Sequence, residues 1–314
     1  MVFVVLDEAP VGGRQIALGR LVLQAVPGRV ALQSDRLWGC LIALLIVSSY
    51  AFAEDYSSYS DAELQAIIIA AQNELSLRFN NKKPTDTSDF VYASNGKEVR
   101  INAFTGNSAD LIIPAEIDGL PVTQLHKEAF YNNDSIVNVY IPDSITVIPE
   151  RCFSESDSIA SIRFPENVVE IGGSAFYECD LPNVLIIPKT IKQIGSLAFS
   201  WAHTKGIIIQ SDFSESSWGS AFTSMDKLEF IYIKDGCNPI FSSDAFYSCP
   251  SIQFAIVPAS VTSLPDKIFE DAKKIKIITP AGSYAESFAM EHFLPVETES
   301  YADYVAQYDG LYPD

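Results

Sequence analysis

Phenylalanine returns along this chain at an almost constant interval. The positions are Phe130, Phe153, Phe176, Phe199, Phe222, Phe246 and Phe269, with gaps of 23 residues except for one of 24 between Phe222 and Phe246. The residue before each ring is Ala129, Cys152, Ala175, Ala198, Ala221, Ala245 or Ile268, mostly small and apolar. A second column leads it: Pro142, Pro165 and Pro188, then Gln210 and Lys234, then Pro258 and Pro280. One and three residues before that column stand apolar pairs such as Ile141 with Val139, Ile187 with Leu185 and Ile233 with Ile231. Further apolar columns follow the prolines, among them Ile145 and Ile148, Val168 and Ile171, Ile191 and Ile194.

A period of 20–29 residues with apolar side chains at fixed offsets specifies stacked turns of a solenoid. One such turn cannot bury its own apolar side chains; piling turns sets each Ile, Val and Phe against its equivalent in the next. The β-branched stretch before Pro predicts a short strand, and neighbouring turns pair these strands into a parallel sheet. Pro closes the strand because it has no N–H to give to the ladder. The Phe fills the far side of each turn, where the small residue before it lets the backbone approach.

The unit I-x-I-P-x-x-I-x-x-I-x-x-x-A-F-x-x-C resembles the BspA-type (Treponema-type) leucine-rich repeat. Ile162 to Cys179 and Leu185 to Ala202 carry it most fully, and the stretch from Thr279 to Pro295 is similar to that family's last turn. The resemblance covers roughly residues 89–296. It implies a right-handed leucine-rich-repeat coil with a parallel β-sheet face, in an extracellular or cell-surface bacterial protein used for adhesion or partner binding. It brings no catalytic residue and no cofactor. The fifth and sixth turns depart from the pattern at Gln210 and Lys234, which puts uniform curvature there in question.

Ahead of the repeats, Leu37 to Val47 form an eleven-residue apolar run preceded by Arg36 and followed by Ala51-Phe52-Ala53. The run is too short to span a bilayer. Its flanks predict a signal peptide cleaved after Ala53, with an over-extended start upstream, and no transmembrane anchor in the mature chain. The expected organisation is a leader over 1–53, an amphipathic helix and linker over 54–88, the solenoid over 89–296 and an acidic, Tyr-rich tail over 297–314. The helix is placed at 61–79, where Leu64, Ile67, Ile68, Ala71, Leu75 and Phe79 share one side. Phe90–Tyr92 and Val99–Ile101 flank Asn95-Gly96, the signal of a type I′ hairpin suited to covering the first edge of the coil.

The chain carries 40 acidic against 21 basic side chains, a formal charge of −19. That excess excludes nucleic acid as partner, since phosphates would be repelled. Four of the five cysteines fall inside the repeat: Cys179 and Cys249 share a column three turns apart, about 14 Å at ~4.8 Å per strand, too far for a bridge. They read with Cys152 as buried thiols, and Cys237 sits in the Ile145 column. Three histidines, scattered acids such as Asp134 and Glu150, and the lack of any metal-spacing or nucleophile motif predict no enzyme, no metal and no cofactor.

Alternation along each strand sets the outward residues. They are Tyr140 and Arg163 in the early turns, then Val184, Ile186, Ile208, Phe230, Tyr232, Phe254 and Ile256. The early positions are polar or mixed and the later ones form an apolar stripe, the kind of patch that marks interaction sites. These nine are the partner-binding residues expected for a secreted or cell-surface adhesion module whose ligand is a protein or a host or bacterial surface. Three other readings stay open. The stripe is covered by the 61–79 helix, the tail or a second copy; the facing slips by one where Ile207-Ile208-Ile209 run together; or the scaffold is a glycan-active enzyme or a structural spacer.

Overall fold

Every repeat unit closes one turn of a coil, and the turns stack in chain order. The structure is a computed structural model that describes Glu8–Val11, Arg14–Ala17 and residues 83–215, 219–272 and 275–311. The 61–79 helix, the Leu37–Val47 run and the Ala53 cleavage site lie outside these residues. The chain divides into two units, Met1–Ser58 and Tyr59–Asp314. In the first, β1 (Glu8–Val11) and β2 (Arg14–Ala17) form an antiparallel hairpin with Glu8 opposite Ala17.

The second unit holds the solenoid. It starts with β3 (Phe90–Ser94) and β4 (Val99–Phe104), paired antiparallel. Their connection differs from the expected type I′ turn, which needs positive φ at both central residues. Only Gly96 is left-handed, at φ +82°. Asn95 instead accepts the Lys97 and Glu98 N–H groups on its side-chain oxygen, which holds a four-residue loop. Strand β4 then pairs in parallel with β7 (Leu120–Leu125), which β6 (Glu116–Ile117) meets antiparallel, so the hairpin does extend the coil at its first end.

The strands before the proline column form the main sheet. β5 (Asp110–Ile112), β8 (Asn138–Tyr140) and β10 (Ser161–Arg163) make one parallel set. β12 (Val184–Ile187), β14 (Gly206–Ile209), β16 (Phe230–Ile233), β17 (Phe254–Ile256), β18 (Lys276–Ile278) and β19 (Val296–Glu297) make the second. The seam between the sets falls where Pro182, which has no N–H, replaces the apolar position of Ile136 and Ile159. At the free edge of β5, Thr85 donates its N–H to Ile112 O (3.0 Å) and accepts the Ile112 N–H on Oγ1 (2.9 Å). That edge is thereby paired rather than open.

A shorter parallel ladder runs along another side of the turns: β9 (Val147–Ile148), β11 (Glu170–Ile171), β13 (Gln193–Ile194) and β15 (Ser214–Glu215). Between the two ladders the proline column makes a tight turn, with Ile145 N–H bonded to Pro142 O and Ile191 N–H to Pro188 O. The substituted turn keeps this geometry, since Cys237 N–H bonds to Lys234 O at 3.1 Å.

On the far side the phenylalanines stack as one column. From Phe130 to Phe246, successive ring centroids stand 4.9, 5.3, 5.3, 5.4 and 5.3 Å apart, and the planes tilt by 15° or less. Phe104 and Phe269 continue it at 6.1 Å at either end. The spacing follows the strand repeat of the ladders, because one ring is delivered per turn. From Phe130 to Phe222 the backbone turns left-handed two residues before and two after each ring. Arg151, Ser174 and Leu197 take φ of 54°, 52° and 57°, and Glu155, Glu178 and Trp201 take 60°, 53° and 61°. This points alternate N–H groups at the next turn: Phe153 donates to Ala175 O and Phe176 to Ala198 O, both at 2.8 Å. Cys152, Cys179 and Cys249 are buried free thiols, as their columns predict, while Cys237 is only partly buried.

The last turn ends on α1 (Tyr284–Glu291), capped by Ser283, whose hydroxyl accepts the Glu286 N–H. Glu286 in return accepts the Gly282 N–H. Leu294 N–H reaches back to Ala289 O and Phe293 N–H to Met290 O, a Schellman end with Phe293 left-handed at φ 54°. β19 follows, and then α2 (Tyr301–Leu311).

Candidate interaction face

The parallel register fixes two outward rows on the main sheet. One runs Asp110, Asn138, Ser161 and, across the seam, Val184, Gly206, Phe230, Phe254, Lys276. The other runs Ile112, Tyr140, Arg163, then Ile186, Ile208, Tyr232, Ile256, Ile278. The inward residues between them belong to the continuous core. The Ile207-Ile208-Ile209 run resolves without a slip. Ile207 and Ile209 join the core and Ile208 joins a separate apolar cluster on the opposite face.

The seam divides the face chemically. On the early side the polar groups satisfy one another: Asn138 Nδ2 donates to Asp110 (2.8 Å) and Ser161 Oγ to Asn138 (2.6 Å). Arg163 stacks on the Tyr140 ring, 4.7 Å from its centroid, and reaches both carboxylate oxygens of Asp143 at 2.9 and 3.2 Å. A guanidinium held by a forked ion pair over an aromatic ring is preorganised for a planar acceptor or a second ring. Tyr140 and Arg163 are half-buried and reachable from outside.

On the later side the apolar stripe is occupied by the chain's own tail. Helix α2 lies across it, and Ile208, Tyr232, Ile256 and Ile278 are fully buried beneath. The expectation of an open stripe is therefore corrected at Ile208, Tyr232 and Ile256. Val184, Ile186, Phe230 and Phe254 stay half-buried at the margin of the same cluster. The cover is aromatic. Tyr308 meets the edges of Phe230 and Tyr232 at 5.0 and 5.8 Å, and Tyr304 meets Phe254 at 5.9 Å. Phe230 and Phe254 stack at 5.7 Å. Gly206 makes that possible: a Cβ there would come within 2.1 Å of the Phe230 ring.

Polar groups fasten the edge of the cover. Tyr232 Oη donates to Asp309 (2.7 Å), Lys234 Nζ stands 3.5 Å from the same carboxylate, and Tyr301 Oη donates to Asp235 (2.5 Å). Burial, reinforced by the aspartate each hydroxyl serves, pushes both phenols well above the usual tyrosine range. Sequence reasoning named Tyr232 but missed Lys234, Asp235 and Asp309, and it missed Gly206. The Tyr301, Tyr304, Tyr308 spacing with Val305 between was the signal for a helix with one aromatic side.

The acids gather elsewhere. Asp134, Asp157, Asp180 and Asp226 occupy one column near the phenylalanine side, with His203 between the last two, near both Asp180 and Asp226. Burial and the like charges of Asp134 and Asp180 raise the Asp157 carboxyl. Among the described residues no group of three His, Cys, Asp or Glu could hold a metal ion. An open cavity of about 260 Å³ lies between Asn238–Phe241 and Thr262, Ser263 and Pro265, and no carboxylate lines it.

A family model described as BspA type Leucine rich repeat region matches the chain in six copies, over residues 78–201, 123–242 and 161–276. Among solved structures, the chain is similar to a leucine rich repeat protein of T. pallidum. The identity is 23%, covering 68% of this chain and 98% of that one, with a TM-score of 0.48. It is also similar to the pneumococcal vaccine antigen PcpA, at 15% identity over 68% of this chain and 49% of that one, TM-score 0.40. A leucine-rich repeat protein from Bacteroides ovatus matches at 15% identity over 63% and 84%, TM-score 0.31. No curated protein matches the chain significantly in sequence.

Proposed function

The chain belongs to the BspA type leucine rich repeat family, and on that premise we propose that it is a secreted or cell-surface module that binds a protein or surface ligand through the outward face of its main sheet. The leader over 1–53 carries it out of the cell. The observation behind this reading is the preorganised pair Tyr140 and Arg163 on the polar half of the face. Tyrosine and arginine are the residue types most enriched at the energetic centres of interfaces. Neither side chain belongs to the hydrophobic core, and both stand half-exposed on the outward face, which supports this reading.

The test has two arms. N-terminal sequencing of material released by the native host should begin at Glu54. Surface plasmon resonance of the full chain against immobilised extracellular-matrix and bacterial surface preparations should show binding. The Tyr140→Ala/Arg163→Ala variant should weaken it roughly 10–100-fold, about 1.4–2.8 kcal/mol. Unchanged binding by a folded variant would move the site off this face.

The covered stripe favours a second reading, a structural spacer with no ligand. That reading predicts no binding to any preparation and no effect of the double substitution. Among the described residues no helix is long and apolar enough to cross a membrane.

A further inference from the structure

Helix α2 has the marks of a ligand. Eleven residues with tyrosine, valine, two aspartates and a glycine make a poor helix former, shorter than the ~12–15 residues that an isolated helix needs. It exists because it is docked. Tyr301, Tyr304, Val305 and Tyr308 turn to the sheet, yet they stay only partly buried, while the sheet residues beneath are completely dry. The joint is thus asymmetric: the sheet depends on a cover, and the cover is lightly held. The described contacts of α2 with the sheet are side chain to side chain, three polar contacts and a set of ring edges.

We infer that the apolar half of the sheet is a binding site for a helix of a partner protein, and that α2 is a displaceable strap occupying it in cis. This deepens the interaction reading above and rests on it. The partner helix is specified by the template. It presents aromatic side chains at i+3 and i+7 to Phe230, Tyr232 and Phe254, a tyrosine at i whose hydroxyl reaches Asp235, and a carboxylate one residue after i+7 to Lys234 and the Tyr232 hydroxyl. The charge is complementary there, since Lys234 is 12% exposed at its side chain and already meets a carboxylate in α2. Such a helix competes with α2 for the same rows, so affinity in the closed state is reduced by the fraction of molecules with the strap open.

The test uses the full chain. Hydrogen exchange should show the amides of Tyr304–Tyr308 exchanging at least about 100-fold faster than those of Ile208 and Tyr232, because strap release is local. Equal rates would mean that α2 opens only with the whole fold, and would overturn the strap. A labelled peptide with the sequence of residues 300–314 is then titrated against the wild type and against Tyr304→Asp/Tyr308→Asp, which expels the strap. The opened variant should bind it at least tenfold more tightly. A peptide with its tyrosines changed to serine should not bind, and Phe254→Ser in the opened background should abolish binding. Absence of peptide binding by an opened variant that still unfolds cooperatively in urea overturns the site. Sedimentation of the wild type as a dimer that Tyr304→Asp/Tyr308→Asp dissolves would instead assign the groove to the α2 of a second copy, against a partner helix. Secretion and binding through Tyr140 and Arg163 without strap release would sink this inference alone. Peptide capture by a protein that never leaves the cell would sink the localisation alone.

Discussion

Phe176 is the position where the stacking argument can be put to a number. Its ring is fully buried and lies between Phe153 and Phe199, both at 5.3 Å and within 2° of parallel, with Phe164 edge-on at 5.8 Å. Phe176→Ala removes all three contacts and leaves a cavity that neighbouring turns, pinned by two ladders, cannot close. The expected loss is about 3–5 kcal/mol. Of this, each ring pair accounts for roughly 0.5–1.5 kcal/mol. Phe269 is the control. It is 7% exposed and has one stacked neighbour at 6.1 Å, so Phe269→Ala should lose about 1 kcal/mol less. Urea unfolding followed by circular dichroism reads the difference. With a slope of about 3 kcal/mol/M, a 4 kcal/mol loss lowers the midpoint by ~1.3 M. A double-mutant cycle sharpens the claim. Phe176→Ala with Phe199→Ala should show a coupling of about 0.5–1.5 kcal/mol, and Phe130→Ala with Phe199→Ala, which do not touch, none beyond ~0.5 kcal/mol. Equal coupling for both pairs, or a Phe176→Ala cost below ~1 kcal/mol, would refute a column built from nearest-neighbour contacts.

Other outcomes follow from single sites. Phe293 is left-handed at a Schellman position and 95% exposed, so Phe293→Gly should raise stability by about 0.5–1 kcal/mol in the same urea assay. Burial pushes the Cys179 and Cys249 thiols up to about 12 from an ordinary value of 9.0. Their folded pKa is raised, so the stability they carry is complete below pH 9 and drains away as pH rises toward 12. The alkaline fall in the urea midpoint should be smaller in Cys179→Ala/Cys249→Ala, and both thiols should resist Ellman's reagent until urea is added. Gly206→Ala should drive Phe230 from its seat at a cost of about 1–3 kcal/mol, read as faster proteolysis within α2.

The phenylalanine column is legible in the chain because one bulky residue recurs in step with one small one, and only stacking satisfies both. The facing of the strands is legible wherever apolar and polar residues alternate, as in Asn138-Val139-Tyr140. It becomes ambiguous at Ile207-Ile208-Ile209 because that strand is buried on both sides, and double burial erases alternation. The left-handed positions around the rings from Phe130 to Phe222 are invisible for a different reason. They are held by Arg151, Glu155, Ser174 and Glu178 rather than glycine, so nothing in residue type announces them; the hydrogen bonds to the next turn impose the conformation. The tail was among the covers the sequence left open, but its helical state escaped notice because its propensity is poor and its existence depends on the sheet beneath. The fastening groups Lys234, Asp235 and Asp309 share no motif, since a contact across 66 or 77 positions of chain leaves no local trace.

The seam at Pro182 has an evolutionary reading. Turns ahead of it meet their neighbours through polar groups that satisfy one another, so a 23-residue unit inserted or removed beside the Tyr140–Arg163 pair would change the length there and leave everything downstream untouched. Beyond it, Gly206 must sit beside Phe230 and Lys234 must meet Asp309, which ties particular turns to particular places. Lineages of this protein should therefore vary in copy number upstream of the seam while the block from β12 to α2 is inherited as a single cassette.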